Sequence, residues 1–420
     1  MEDEQKKHIL VIGGGFGGLE FCRRFKKENA IVSLVDKKNH HLFQPLLYQV
    51  ATCGLSAPQI AEPLRGILRN RPNMRTYLDE IQEISLDEKW AKGKDRTYRY
   101  DYLVIGMGAR TSYFGNNHWA EHTHGLKTLE DAIAIRSHVL RSLEMAEMES
   151  DPEKRRRLMT FLVVGGGATG VEMAGALAEL GRNVLHRNFR HIDPSTVRVV
   201  LIEGADKILG SYSDPLPDSA RKQIEKLGVE VRCGNMVEDI RAGELDVGGE
   251  TLRAGTIIWG AGVEAAPLTR QLDVPIDRAG RIKVLPDCSI PEHPEAFAIG
   301  DIVNLVDPRG KPVPGVSPAA LQMAKHVSKL VANEIKSGQR QTPDGRKAFT
   351  YFDKGSMATI GRSKAVAEIG RLKMSGWPAW MAWLAVHLIF LVGFRNRIVV
   401  LLDWFYSYVK YRRSSRIIFN

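Results

Sequence analysis

Cysteine is scarce in this chain: four residues in 420, Cys22, Cys53, Cys233 and Cys288, none in a CxxC pair. That spacing excludes a thioredoxin-type redox pair and a zinc knuckle, and it suits a reducing compartment. Metal-ligand spacing is missing as well. His40, His41 and His387 have no partners at the intervals a metal site needs, so no metal is expected. No nucleic-acid motif occurs, which leaves DNA and RNA out as partners. No cleavable signal peptide is expected either, because MEDEQKK leads straight into an apolar run. Acid is nearly absent at the C-terminal end, where Asp403 is the sole carboxylate after Glu368.

What is present is basic and otherwise ordinary. The net charge is +10, with 44% hydrophobic and 26% charged residues, the composition of a globular protein. The length calls for two or three domains. Arg395, Arg397, Lys410, Arg412, Arg413 and Arg416 interleave with Trp404, Phe405, Tyr406, Tyr408 and Tyr411. Cations mixed with aromatics fit a membrane interface; the plainer reading is a basic surface with no partner.

Two segments share one plan. Residues 8–12 are apolar and run into Gly13-x-Gly15-x-x-Gly18; a helix is expected over 19–27, then an apolar strand over 31–35 closed by Asp36. This is a β-α-β unit of about thirty residues, with glycines where a turn is tight and where backbone must approach a diphosphate. Asp36, about twenty residues on, is placed to accept from ribose hydroxyls. Residues 159–164, Gly165-x-Gly167-x-x-Gly170, an expected helix from 170 to about 182, and a strand over 197–202 closed by Glu203 repeat the pattern. An acid at Glu203 accepts from a 2′-hydroxyl and repels a 2′-phosphate, which favours NADH over NADPH; the alternative is a solvated strand-end carboxylate. Two nucleotide units in one chain point to FAD paired with NAD(H), since flavin accepts the hydride that nicotinamide gives.

Three segments in this order resemble the two-dinucleotide-binding-domain flavoproteins: VIGGGFGG near the N-terminus, YDYLVIGMGAR at 100–110, and AFAIGD at 296–301. Within that superfamily the chain is similar to the type II NADH dehydrogenases, the non-proton-pumping NADH:quinone oxidoreductases. NHHLFQPLL at 39–47, GGGATGVE at 165–172 and SPAALQ at 317–322 carry the closer likeness. The resemblance implies an α/β fold of two Rossmann-like domains, FAD and NADH, the second inserted in the first, plus a C-terminal helical membrane-anchoring region. The boundaries expected are 1–115 and 291–350 for FAD, 116–290 for NADH (core 158–265), and 351–420 for the anchor.

The resemblance also implies roles for residues. Non-covalent FAD falls to Gly13, Gly15, Phe16, Gly17, Gly18, Asp36, Lys37, Pro45, Ile81, Gly108, Asp301 and Ala319, with Asp301 on the ribityl chain. NADH falls to Gly165, Gly167, Ala168, Thr169, Gly170, Glu172, Glu203 and Gly262. Glu172 is implied in proton handling; its structural alternative is an acid in the first helical turn complementing the dipole. Gln322 matches the second Gln of a quinone- and flavin-contacting segment, and is otherwise a surface glutamine. Pro318 stands where the first Gln is often found, and suits the first turn of a helix. Cys53 reads as inert packing.

The 21 residues of 374–394 carry one ionisable group, His387. They are long enough for one spanning helix. Pro378 and Gly393 favour instead two helices lying in the headgroup plane, burying Trp377, Trp380, Trp383, Leu384 and Trp404 in lipid. The expected partners are NADH, a membrane quinone and the bilayer surface at the cytoplasmic face of a bacterial plasma membrane, with a homodimer left open. A sulfide:quinone oxidoreductase is the alternative enzyme, and a flavin-bound redox sensor or interaction protein the alternative of another class.

Overall fold

The computed structural model describes residues 6–26, 29–185, 188–410 and 415–418. Of the stretches named above, residues 1–5, position 27, Tyr411, Arg412 and Arg413 lie outside the described residues, as do the side chains of Tyr408 and Lys410. The chain forms two compact units: Met1–His41 with Glu62–Arg110 and Val263–Asp353, and Leu42–Ala61 with Thr111–Gly262 and Lys354–Asn420.

The first unit is built on a six-stranded sheet in the order Ser289–Ile290, His293–Ala298, Tyr102–Ile105, Lys7–Ile12, Ala30–Asp36, Met74–Leu78. All pairs are parallel except the first. Near-continuous apolar runs such as Ile9-Leu10-Val11-Ile12 suit strands covered on both faces, and all four are buried. The helix Phe16–Arg24 packs against the long helix Ser317–Ser337. It begins earlier than the residue pattern suggests, because Gly15 serves as an extended N-cap and helix follows at once.

A buried ionic cluster closes the last segment of this unit onto the sheet. Arg346, with a fully buried side chain, donates from Nε to Glu334 at 2.8 Å, from Nη1 to Asp287 at 2.9 Å and from Nη2 to the Pro294 carbonyl at 2.7 Å. Tyr102 donates to the other Glu334 oxygen at 3.0 Å.

The second unit repeats the parallel plan in five strands: His124–Gly125, Thr256–Trp259, Thr160–Val164, Arg198–Glu203, Val229–Cys233. Its glycine loop feeds the helix Ala168–Glu179, which continues as a π-helix over Leu180–Leu185. This α-helix starts two residues before Gly170. Glu172 is therefore its fifth residue, past the first turn, which holds no acid. The dipole-complementing reading of Glu172 falls with that placement, since the effect fades beyond the first turn.

The C-terminal residues join this unit as a three-stranded antiparallel sheet, Ser356–Gly361, Lys364–Ile369 and Leu372–Ser375, followed by helices Trp377–Phe390 and Phe394–Lys410. The apolar stretch 374–394 is thus a strand end, a 14-residue helix and a break at Gly393, whose φ is +89°. Fourteen residues reach about 21 Å, short of the roughly 30 Å of hydrocarbon. Among the described residues no helix is long and apolar enough to cross a membrane, which overturns the single-spanning-helix alternative.

The lipid-facing set also changes. Trp380, Trp383 and Trp404 are buried in protein and Leu384 packs against a small alanine-lined cluster. Trp377, Phe390, Phe394, Leu401, Leu402 and Phe405 are among the exposed apolar side chains of the two helices, Phe394 at 77%. Helical periodicity alone does not say which stripe meets the body and which is left outside.

Removing Arg346 strands two carboxylates in the core. Arg346→Met is expected to destabilise the protein by about 3–5 kcal/mol. Urea unfolding checks this, and adding Asp287→Asn and Glu334→Gln should recover part of the loss.

Candidate functional site

In the first unit the phosphate loop is shaped by backbone crowding. A Cβ on Gly18 would stand 1.8 Å from the Gly13 carbonyl oxygen, and Gly13 has φ +100°. Asp36, at the end of its strand, accepts from Gly14 N at 2.5 Å with one oxygen and from Lys38 N at 2.6 Å with the other. Its pKa is raised, burial outweighing those two backbone N–H groups. His41 adds a brace that the residue pattern did not disclose. It is buried, donates from Nδ1 to the Gly14 carbonyl at 3.1 Å and sets its ring edge-on to Phe16 at 5.1 Å. Burial pushes its pKa down to about 4, so the ring is neutral.

These residues fit a dinucleotide such as FAD. The helix Phe16–Arg24 has neither a capping side chain nor an acid at its start, leaving its N–H groups for an anion. Space beside Gly15 and Gly108 is open to 4 Å. Asp301 sits in the short turn Gly300–Ile302 after the strand His293–Ala298, and its carboxylate takes no hydrogen bond from a described residue. Ala319 is buried in the first turn of Ser317–Ser337, where Pro318 also sits without cost to hydrogen bonding. Ile81 is part-buried on the core, and Lys37 is exposed and 3.9 Å from Glu80. Pro45 belongs to the second unit, in the turn Gln44–Leu46.

Gln322 is engaged elsewhere. Its amide nitrogen donates to the Phe352 carbonyl at 2.9 Å and its oxygen accepts from Phe352 N at 2.9 Å. The side chain clamps a neighbouring segment, a pairing that spacing along the chain does not reveal.

The second unit reproduces the first loop closely. A Cβ on Gly170 would stand 1.8 Å from the Gly165 carbonyl oxygen. Glu203 accepts from Gly166 N and, at 2.8 Å, from Ala205 N. Beside Gly167 the space is open, and Ala168 and Thr169 begin an uncapped helix. Gly262 lies under the exposed ring of Phe114, which a Cβ there would meet at 2.5 Å.

Glu172 faces a cavity of about 50 Å³, lined also by Tyr48, Gln49, Glu179, Arg362 and Trp404. Its carboxyl accepts from Thr359 N at 3.2 Å. Burial pushes its pKa up to about 8 against the opposing pull of that N–H, so the acid is poised to exchange a proton near neutral pH. Gln49 ties the cavity wall to the tail: Trp404 Nε1 donates to its oxygen at 2.8 Å, and Gln49 donates to the Tyr48 hydroxyl at 2.9 Å. Gln59 donates to Asp403 from the same segment.

No thiol is activated toward the thiolate: burial raises the pKa even of the half-buried Cys233. Cys22, Cys53 and Cys288 are buried, and burial raises the Cys22 pKa to about 12. Among the described residues no group of His, Cys, Asp and Glu could hold a metal ion.

Folding shifts the Glu172 pKa upward, so the folded state holds a proton that the unfolded chain releases above about 4.5. Stability is lost as pH rises from there through about 8. Glu172→Gln, which stays neutral, is expected to match the parent near pH 5 and to melt several degrees higher at pH 9, at roughly 2–4 °C per kcal/mol. Thermal melts at the two pH values check this.

The family model described as pyridine nucleotide-disulphide oxidoreductase matches residues 7–324, and that described as the NDH2 C-terminal domain matches 354–413. The chain is 41% identical to the type II NADH:quinone oxidoreductase Ndh of Mycobacterium tuberculosis, over 98% of this chain and 90% of that protein. It is 30% identical to the internal alternative NAD(P)H-ubiquinone oxidoreductase A1 of Arabidopsis thaliana, over 99% and 87%. In fold it is similar to NDH2 from Plasmodium falciparum, solved in complex with NADH, at a TM-score of 0.90 and 20% identity, covering 99% of this chain and 100% of that one.

Proposed function

The chain belongs to the type II NADH:quinone oxidoreductase family, and we propose that it oxidises NADH and reduces a membrane quinone without pumping protons. It is an oxidoreductase with FAD as cofactor and NADH as substrate. The observation that carries the reading is the pair of glycine loops, each held open by its own strand-end acid. FAD, when bound, supplies a carrier that takes two electrons together and gives them up again.

The residues divide the remaining work. Gly13, Gly15 and Gly18 let backbone meet the FAD diphosphate, and Asp36 and Asp301 take its hydroxyls. Gly165, Gly167 and Gly170 do the same for NADH, with Glu203 on the adenosine ribose. Turning a quinone into a quinol takes two electrons and two protons, while NADH brings one hydride. The second proton is the task assigned to Glu172, whose raised pKa matches it to working pH. Gln322 positions the Phe352 segment beside its helix.

We assign the exposed stripe Trp377, Phe390, Phe394, Leu402 and Phe405 to the lipid surface, with Arg395 and Arg397 meeting anionic headgroups. This makes the protein monotopic at the cytoplasmic face of the plasma membrane, where a quinone is at hand. The sulfide-driven alternative needs reactive thiols, and the buried ones here are poor nucleophiles.

Stopped-flow absorbance of the purified holoprotein is the test. NADH is expected to bleach the flavin faster than NADPH, and a quinone to restore it; bleaching by sulfide with no response to NADH would overturn the reading. Glu203→Gln should narrow the preference for NADH by about tenfold, since the repulsion toward a 2′-phosphate is gone. For the membrane stripe, Leu402→Glu with Phe405→Glu should abolish flotation with anionic liposomes while flavin content stays unchanged.

A further inference from the structure

Trp383 lies on the helix Trp377–Phe390, is 1% exposed, and is the largest side chain buried so completely among the described residues. Its indole Nε1–H has no hydrogen-bond partner. A buried donor left unpaired is costly, and packing alone does not call for one here. The ring stacks on His387 at 4.1 Å and meets Trp404 at 5.7 Å and Tyr48 at 6.4 Å, contacts that a phenyl ring also makes. His387 does not accept from it: the two rings stack at 23° to one another, so the in-plane lone pair of the imidazole points away from the indole N–H, and its Nδ1 is turned to the Trp383 carbonyl at 2.8 Å.

The helix Trp377–Phe390 packs on the strand Ser356–Gly361, which packs in turn on the helix Ala168–Glu179 and whose Thr359 amide donates to Glu172 at 3.2 Å; the indole lies near enough to that carboxyl to favour its ionised form. Among the described residues the carboxyl accepts a hydrogen bond within bonding distance from the Thr359 amide alone. Once the proton leaves, the carboxylate needs a second donor in a site that burial has stripped of water. We propose that Trp383 is a positioning residue whose indole N–H is held for ionised Glu172, so that the helix Trp377–Phe390 sets how readily this acid releases its proton. The proposal rests on the assignment of Glu172 to the second proton. That proton passes from the carboxyl to the quinone oxygen as the electron pair arrives, and the carboxylate regains one from solvent through the adjoining cavity.

Other titratable and polar groups face the same space. Tyr48, Glu179 and Arg362 line the same cavity, and Tyr212 is within electrostatic reach. Glu179 accepts from the Arg362 amide at 2.5 Å, and His387 is held neutral by burial on the ring of Trp383. Placing the donor on the tail links the acid to the element that carries the exposed apolar stripe.

Two measurements on the full-length holoprotein test the proposal. In Trp383→Phe the ring remains and the N–H is lost. The Glu172 carboxyl stretch, followed by infrared difference spectroscopy against Glu172→Gln, should titrate about one pH unit higher than in the parent, a tenfold rise in proton affinity. The pH profile of quinone reduction should move the same way. An unchanged midpoint in protein of normal flavin content overturns the proposal.

The parent protein gives a second readout that does not depend on how that variant folds. With 15N-indole labelling, the Trp383 resonance should shift as Glu172 titrates and stop shifting in Glu172→Gln. A resonance flat across that pH range overturns the proposal. Both signals come from the resting protein. A failure of NADH to bleach the flavin would therefore refute the proposed reaction while leaving the coupling of Trp383 to Glu172 measurable.

Discussion

In each unit a carboxylate at the end of a parallel strand reaches across to the amide of the middle loop glycine, Asp36 to Gly14 and Glu203 to Gly166. The second oxygen of each caps the residue two places on, Lys38 or Ala205. These bonds fix the loop while leaving the next glycine, Gly15 or Gly167, facing open space. The carboxylate therefore holds the loop, and in the proposed reaction it would also present lone pairs to ribose hydroxyls. The loop and the helix start that follows it are thus held by an acid about twenty to forty residues further along the chain.

Beyond that shared frame the two units diverge in what they add. The first encloses an arginine between two carboxylates, Arg346 with Asp287 and Glu334, so that its last segment cannot leave without exposing uncompensated charge. Gln322 fixes the Phe352 backbone by the same economy of paired donors and acceptors. The second unit leaves one acid poorly solvated. Glu172 has one amide donor and a small cavity, and its pKa rises because burial outweighs that single N–H. A raised pKa costs stability at alkaline pH, and a site keeps such an acid where a proton must move.

The tail helices are tied to this acid's surroundings from three directions. Trp404 holds Gln49, Asp403 holds Gln59, and Trp383 stacks among Tyr48, His387 and Trp404. Asp403, the lone acid of the basic tail, is thereby accounted for as an internal tether. The aromatic residues divide accordingly: Trp380, Trp383 and Trp404 are buried, and Trp377, Phe390, Phe394 and Phe405 belong to an exposed apolar stripe.

Both nucleotide loops were legible in the residues themselves, because a tight turn, a close backbone approach and a strand-end acid each demand a residue type at a fixed interval. The strands read correctly to within a residue or two for the same local reason: an apolar run buried on both faces needs no knowledge of its neighbours. Helix starts were less legible, since a glycine N-cap carries no side-chain signal, and Glu172 was misplaced within its helix as a result. What only tertiary structure decided are pairings between distant segments: His41 on Gly14, Gln322 on Phe352, Trp404 on Gln49, and which tryptophans of the tail turn inward. Local rules follow from the covalent geometry of a few residues, whereas burial and hydrogen-bond partnership depend on which surfaces the folded chain brings together.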